Sequence, residues 1–252
     1  MRRALRVLAI GWLFHVRMLS RSSFDGFLAI CWPLFFATVA FFMFRAGGDP
    51  ESLVYASLGA AVMGIWTATS VSAGAALQRE RWHGTLELLV VVPTHFSLVL
   101  LPLAFATSAI GVYCMATTFF WGRVVFGIDL TIESPLLFAA AIPATILSIG
   151  ALGFLIAVAF ARYRSAWALG AMTEYPVWLI CGFLVPLSLL PEWVRPISWA
   201  LAPTWGMRAI RESATGGTPL PDIAMCFALG AAYVGIGILV TESVLRAARV
   251  RA

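Results

Sequence analysis

An all-α, polytopic membrane fold is what this sequence predicts, and three observations predict it. Residues 52–78, 96–122 and 134–161 carry no charged side chain. Each run exceeds the roughly 20 residues a helix needs to cross a hydrocarbon layer of about 30 Å. The chain as a whole is 61% hydrophobic and 12% charged, about half the charge of an ordinary soluble domain. Connections between the apolar runs are short, with no linker composition and no internal repeat. Residues 1–252 therefore read as a single transmembrane domain.

The first element is residues 1–21. On a wheel of about 100° per residue, Arg2, Arg3, Arg6, Arg17 and Arg21 share one sector. Leu5, Leu8, Trp12, Val16 and Leu19 share another, while Ile10 and Leu13 intrude on the basic side. The pattern predicts an amphipathic helix in the cytoplasmic interface, with arginines toward headgroups and Trp12 in the acyl boundary. The apolar run that follows is span-length, longer than the core of a cleavable signal. Six spans are expected at about 26–44, 53–77, 96–121, 135–161, 166–190 and 223–245.

All 17 positive charges are arginine, and they sit at span ends. Twelve fall on one side of the six-span arrangement (Arg2, Arg3, Arg6, Arg17, Arg21, Arg79, Arg81, Arg162, Arg164, Arg246, Arg249, Arg251). Five fall on the other (Arg45, Arg123, Arg195, Arg208, Arg211). The excess marks the cytoplasmic side, so both termini are expected there. An odd number of spans would separate the termini and erase the asymmetry. The net charge of +5 thus reflects orientation in a membrane, with lipids rather than nucleic acid as the partner.

Between the second and third spans lies RERWHGTLELLVVVP, residues 79–93. Glu80, His83, Gly84 and Glu87 follow i, i+3, i+4, i+7 spacing and share one helical face. Pro93 fits a break before the next span. Residues 79–92 are expected to form a short cytoplasmic helix able to dock on a partner; the alternative is a charged loop capping two helices. Near the other end, residues 191–222 gather Trp193, Trp199 and Trp205 with Pro196, Pro203, Pro219 and Pro221. Residues 197–202 are apolar but too short to span. Tryptophan favours the membrane interface, which points to a short re-entrant or interfacial helix closing the external end before the last span.

Several chemistries lack their residues. There is no lysine, and a P-loop requires one. His15, His83 and His95 are scattered, and neither HExxH nor GxSxG occurs. Cys31, Cys114, Cys181 and Cys226 lie singly in apolar runs with no CxxC spacing. No catalytic residue, metal site or cofactor is expected on this chain. Glu174 is the one carboxylate well inside an apolar run. It either lines a path or pairs with a partner chain, or it is a structural group bonded to a neighbour such as Thr173 or Tyr175. An ion- or proton-coupled secondary transporter using Glu174 is the alternative function, with a single carboxylate as its only relay group.

The chain thus has a translocator's architecture without a motor of its own. Glu80-Arg81 followed by Gly84-Thr85-Leu86-Glu87 and Pro93-Thr94 resembles the cytoplasmic signature of ABC type-2 transporter permeases. Gly182-Phe183-Leu184-Val185-Pro186, then Leu190-Pro191, Trp193, Pro203-Thr204 and Arg208, resembles the same family's Gly-x-x-x-Pro, Leu-Pro and Pro-Thr pattern. The resemblance implies the membrane subunit of an ATP-driven exporter in a bacterial plasma membrane. It implies two copies of a cytoplasmic ABC ATPase, carrying ATP and Mg, and a second permease, identical or paralogous. Glu80, Arg81, His83, Gly84, Thr85, Leu86 and Glu87 would be the ATPase-coupling helix. The second and fifth spans would line the path, with Thr67, Thr69, Ser70 and Ser72 on the second and Glu174 on the fifth as candidate path residues. Pro191, Trp193 and Pro203 would mark the external re-entrant segment. The second span is rich in Ala, Gly, Ser and Thr, with Trp66 its one tryptophan. That departs from polysaccharide exporters, and the Val-Pro and Leu-Pro-Glu-Trp spelling is closer to the multidrug and antibiotic-resistance branch. The expected substrate is hydrophobic or amphipathic.

Overall fold

The structure is a computed structural model that describes residues 2–21, 23–45, 50–82, 97–128, 131–160 and 166–251. All regular elements among these residues are helical. They are α1 (Arg2–Arg21), α2 (Ser23–Arg45), α3 (Pro50–Trp82), α4 (Ser97–Phe126), α5 (Pro135–Phe160) and α6 (Ala166–Ile180). A single 3-10 turn, Leu187–Leu189, precedes α7 (Val194–Trp199), α8 (Ala202–Thr215) and α9 (Leu220–Arg251). Four of these helices contain stretches long and apolar enough to cross a membrane: Ser52–Ser70, Ser97–Phe126, Pro135–Ala159 and Leu220–Thr241. Leu34–Phe44 in α2 is a shorter apolar stretch.

Helix α3 is the hub. It packs against α2, α4, α5, α6 and α8, and its Leu58, Val62, Ile65 and Trp66 are fully buried in the main core. Lipid tails give little drive for helices to associate, so the contacts rest on small residues that let backbones approach. A Cβ built on Gly111 of α4 would lie 2.7 Å from the Ile65 Cα of α3. One on Gly153 of α5 would meet the Thr69 methyl at 2.4 Å, and one on Gly206 of α8 the Thr145 methyl at 2.5 Å.

These contacts also fix direction. Gly111 meets Ile65 and Gly122 meets Ser57, so α4 runs antiparallel to α3. Gly150 beside Phe105 and Phe138 beside Phe119 make α5 antiparallel to α4. Gly230 against Ser148 and Gly237 against Phe154 make α9 parallel to α5. One end of the bundle therefore gathers the ends of α3, α5 and α9 with the starts of α4 and α6. Those helix ends, with α1, carry ten of the twelve arginines of the larger set; Arg162 and Arg164 lie outside the described residues.

Two expectations need correction. The fifth apolar run is not one helix over residues 166–190. Helix α6 stops at Ile180 after 15 residues, about 22 Å, which is short of a full crossing. Gly182 takes φ +77°, a left-handed geometry open to glycine. Phe183 N–H then returns to the Trp178 carbonyl, and Pro186 prevents the helix from resuming. Second, Arg79–Trp82 do not open a separate helix, because α3 continues through Trp82. The remainder of the expected coupling helix, residues 83–92, lies outside the described residues.

Candidate functional site

Three places bear on function: the α3–α6 contact, the cap over the far end, and the N-terminal helix. Each is set by residues distant in sequence.

On α3, Thr67 and Ser70 lie three residues apart and share the face turned to α6. On α6, Gly170, Glu174 and Trp178 stand at four-residue intervals on the opposing face. Gly170 brings the backbones together, since its Cβ would lie 2.9 Å from the Ser70 carbonyl oxygen. Glu174 is only 4% exposed, and Thr67 Oγ1 donates to its Oε1 at 2.5 Å. Around the pair, Ser70 Oγ, Trp66 Nε1 and Trp178 Nε1 are buried without a hydrogen-bond partner. Trp178 is held edge-on by Phe36 of α2, with ring centroids 4.8 Å apart.

Of the expected path residues, the structure brings Thr67 and Glu174 into contact, with Ser70 on the same seam. Thr69 points elsewhere: its hydroxyl returns to the Ile65 carbonyl at 2.8 Å and its methyl sits against Gly153 of α5. The side chain of Ser72 lies outside the described residues, as do those of Glu80, Arg81, His83, Gly84, Thr85, Leu86 and Glu87. The neighbours proposed for Glu174 by proximity in sequence are not its partners. Thr173 bonds the Gly170 carbonyl, and the Tyr175 ring stands edge-on to Trp178. The outer face of α6 is instead apolar: Met172, Tyr175 and Leu179 are exposed.

The far end is closed by chain that folds back. Pro191 and Trp193 are exposed, and Trp193 is 70% so. Pro203 is buried at the start of α8, where its missing N–H leaves no gap. The sequence reading expected one short helix near residues 197–202; there are two, α7 and α8. The periodic Pro203, Gly206, Met207, Ile210 and Ala214, with Gly216 after the last turn, is the signal that locates α8. Ser198 Oγ donates to the Ile180 carbonyl at 2.6 Å. Tyr233 of α9 donates to the Ala200 carbonyl and accepts the Ala202 N–H, so α7 and α8 are pinned to α9. The Tyr55 hydroxyl of α3 donates to the Gly182 carbonyl, pinning the cap to the hub helix. Arg208 lies 3.4 Å from Asp222 and 3.6 Å from Glu212, and its guanidinium stacks over Trp205 at 5.1 Å.

Helix α1 rests on the start of α4. A Cβ on Gly11 would lie 3.2 Å from the Pro102 ring, and Trp12 Nε1 donates to the Phe105 carbonyl at 3.4 Å. Trp12 is thus a protein contact as well as a half-exposed ring. Cys31, Cys114, Cys181 and Cys226 are free thiols. Among the described residues no three His, Cys, Asp or Glu side chains gather as a metal site would require.

Among the described residues, an all-helical bundle with four membrane-length helices, a buried polar seam and a folded-back cap defines a polytopic membrane protein. The chain belongs to the ABC-2 type transporter family, whose family model matches residues 6–214. No curated protein matches it at a significant level. As a member of that family it is an ABC permease subunit, a component that works with an ATP-binding subunit.

Proposed function

We propose that this chain is the permease of an ABC exporter that moves a hydrophobic or amphipathic substrate, a drug, antibiotic or lipid-like molecule, out of a bacterial cytoplasm. It makes six passes through the plasma membrane, the fifth by α6 together with the folded-back chain that follows it, and has both termini in the cytoplasm. The gathering of ten of those twelve arginines, all that lie on described helices, at one end of the bundle supports that orientation. Two permeases, identical or paralogous, pair around the path. The unpartnered apolar face of α6 (Met172, Tyr175, Leu179) supports pairing there. Two copies of a cytoplasmic ATPase carry ATP and Mg, and residues 80–87 seat on them.

The observation that carries this reading is the continuity of α3. Its 33 residues, about 50 Å of helix, run from the charged segment to the cap without a break. A displacement at Trp82 therefore reaches Thr67, and with it Glu174, and then Tyr55 and the cap. Ser70, Trp66 and Trp178 keep unmet hydrogen-bonding capacity on that seam. A contact that opens to an amphipathic cargo, or re-forms in a second arrangement, has use for such groups. Glu174 serves as the acceptor that holds α6 to α3 in the closed arrangement.

The test is co-expression with the ATPase. Gly84→Trp and Glu87→Arg should abolish permease-stimulated ATP hydrolysis and transport, while the chain still inserts and pairs. Full activity in both variants would move the coupling contact away from residues 80–87.

A further inference from the structure

The outward face of α1 mixes two kinds of side chain that do not ordinarily share a surface. Arg6, Ile10, Leu13, Phe14, Arg17 and Arg21 are all exposed, and on a wheel they fall within about 100°. Ile10 is 57% and Phe14 is 61% exposed. The opposite side of the helix, with Leu8, Gly11 and Val16 half-buried, is turned to the protein. The sector expected from the sequence to dip into the acyl layer is therefore the one that packs on α4. What faces outward is the arginine sector, with apolar residues set between the charges.

A face in bulk water has no use for Ile10 and Phe14, and a face in hydrocarbon has none for three arginines. The layer that suits both is the headgroup region, where guanidinium groups reach phosphates and the apolar stems and rings lie against the first acyl carbons. Arg17 and Arg21 are one turn apart, so their Cβ atoms stand about 5–6 Å from each other, close enough to flank one phosphate. Leu13, Phe14 and Met18 lie beside them, and Met18 is also exposed. This face belongs to the bundle end that carries ten of the twelve arginines, whose field selects for net negative headgroups.

We infer that the outward face of α1 is a binding surface for anionic phospholipid, with Arg17 and Arg21 flanking the headgroup phosphate and Arg6 extending the site. Lipid bound there holds α1 against α4, because the Gly11–Pro102 and Trp12–Phe105 contacts lie on the reverse side of the same helix. The inference does not depend on the exporter reading or on any ATPase.

The experiment uses the full chain, purified in detergent and titrated with phosphatidylglycerol or phosphatidylcholine, with retained lipid counted by native mass spectrometry. The wild type should retain phosphatidylglycerol at concentrations where phosphatidylcholine washes off. Arg17→Gln with Arg21→Gln should weaken phosphatidylglycerol retention by about 25-fold, roughly fivefold per arginine. Arg17→Lys with Arg21→Lys should retain most of the binding, and Arg195→Gln at the opposite end should retain all of it. Raised salt should weaken the wild-type complex. If the glutamine pair misfolds, the lysine pair and the salt titration decide alone. Equal retention of the two lipids by the wild type overturns the inference. So does unchanged phosphatidylglycerol retention in the glutamine pair, or a salt-insensitive complex.

Discussion

Replacing Thr67 with valine removes one hydroxyl from the α3–α6 seam while keeping its shape. The structure fixes what is lost: a 2.5 Å bond to a carboxyl group that is 4% exposed. Hydrogen bonds between membrane helices are worth about 0.6 kcal/mol on average and up to about 1.7 kcal/mol. A coupling free energy of about 0.6–1.7 kcal/mol between Thr67 and Glu174 follows. The single change Thr67→Val should destabilise by more than the coupling, because it leaves Glu174 buried without that donor. The measurement is a double-mutant cycle with Thr67→Val, Glu174→Gln and the pair, read from reversible unfolding in mixed micelles. A neutral amide at position 174 still accepts from Thr67, so Glu174→Leu is run alongside as the complete deletion of the acceptor. A coupling below about 0.3 kcal/mol in the leucine cycle lies within ordinary additivity. It would show that the contact holds nothing, and the transmission from α3 to α6 argued above would fail with it.

Other outcomes follow from single contacts. Gly111→Ala places a methyl 2.7 Å from the Ile65 Cα, where carbon atoms prefer about 3.5–4.0 Å, so α3 and α4 must part by about 1 Å. The variant should lose about 1–3 kcal/mol of stability in the same unfolding assay; an unchanged midpoint would mean the helices are not in close contact there. Asp222→Asn removes a carboxylate that is 2% exposed and paired with a partly exposed Arg208. Burial of the carboxylate, whose Oδ2 has no hydrogen-bond partner, offsets part of the ion pair, so at most about 1 kcal/mol should be lost from the α8–α9 contact. Faster hydrogen exchange confined to residues 202–215 and the start of α9 is the expected signature, and unaltered exchange would remove the ion pair from the account of the cap.

The sequence carries the helices better than it carries their contacts. Charge-free runs and arginine placement locate α2 to α5 and α9 because both follow from what a bilayer tolerates at each depth. The end of α6 was missed because the run stays apolar through Leu190, and hydropathy does not register backbone geometry. The Gly182 turn was legible only as a motif, Gly-Phe-Leu-Val-Pro, whose conformational meaning is the left-handed glycine and the proline that follows. Helix α8 was missed for the opposite reason. Its Pro203 reads as a breaker, yet at the first turn of a helix proline is welcome. Thr67 and Glu174 are 107 positions apart. No spacing rule connects them, which is why Thr69, Ser70 and Ser72 stood beside Thr67 as equal candidates. The wheel for α1 separated its two faces correctly but assigned the apolar one to lipid, because a lone sequence does not show that Pro102 and Phe105 are there to receive it.

The cap sharpens what kind of motion this bundle permits. Tyr55 joins α3 to Gly182, Ser198 joins α7 to the end of α6, and Tyr233 joins α7 and α8 to α9. Gly59 adds a fourth tie, since its missing side chain admits the Phe183 carbonyl against α3. All of these ties cluster where α6 gives way to the folded-back chain. By contrast, the Thr67–Glu174 bond is the one described side-chain hydrogen bond joining α3 and α6 along their length. A helix pair held firmly at one end and by a single polar contact further along has a natural pivot at the cap. Under the proposed coupling, a push at the Trp82 end swings α3 about that pivot, and the Gly170–Ser70 approach and then the Thr67–Glu174 bond are the contacts with α6 that yield. The exposed, apolar outer face of α6 then moves against whatever membrane-embedded surface lies beside it. The geometry therefore favours opening from the arginine-rich end toward the cap.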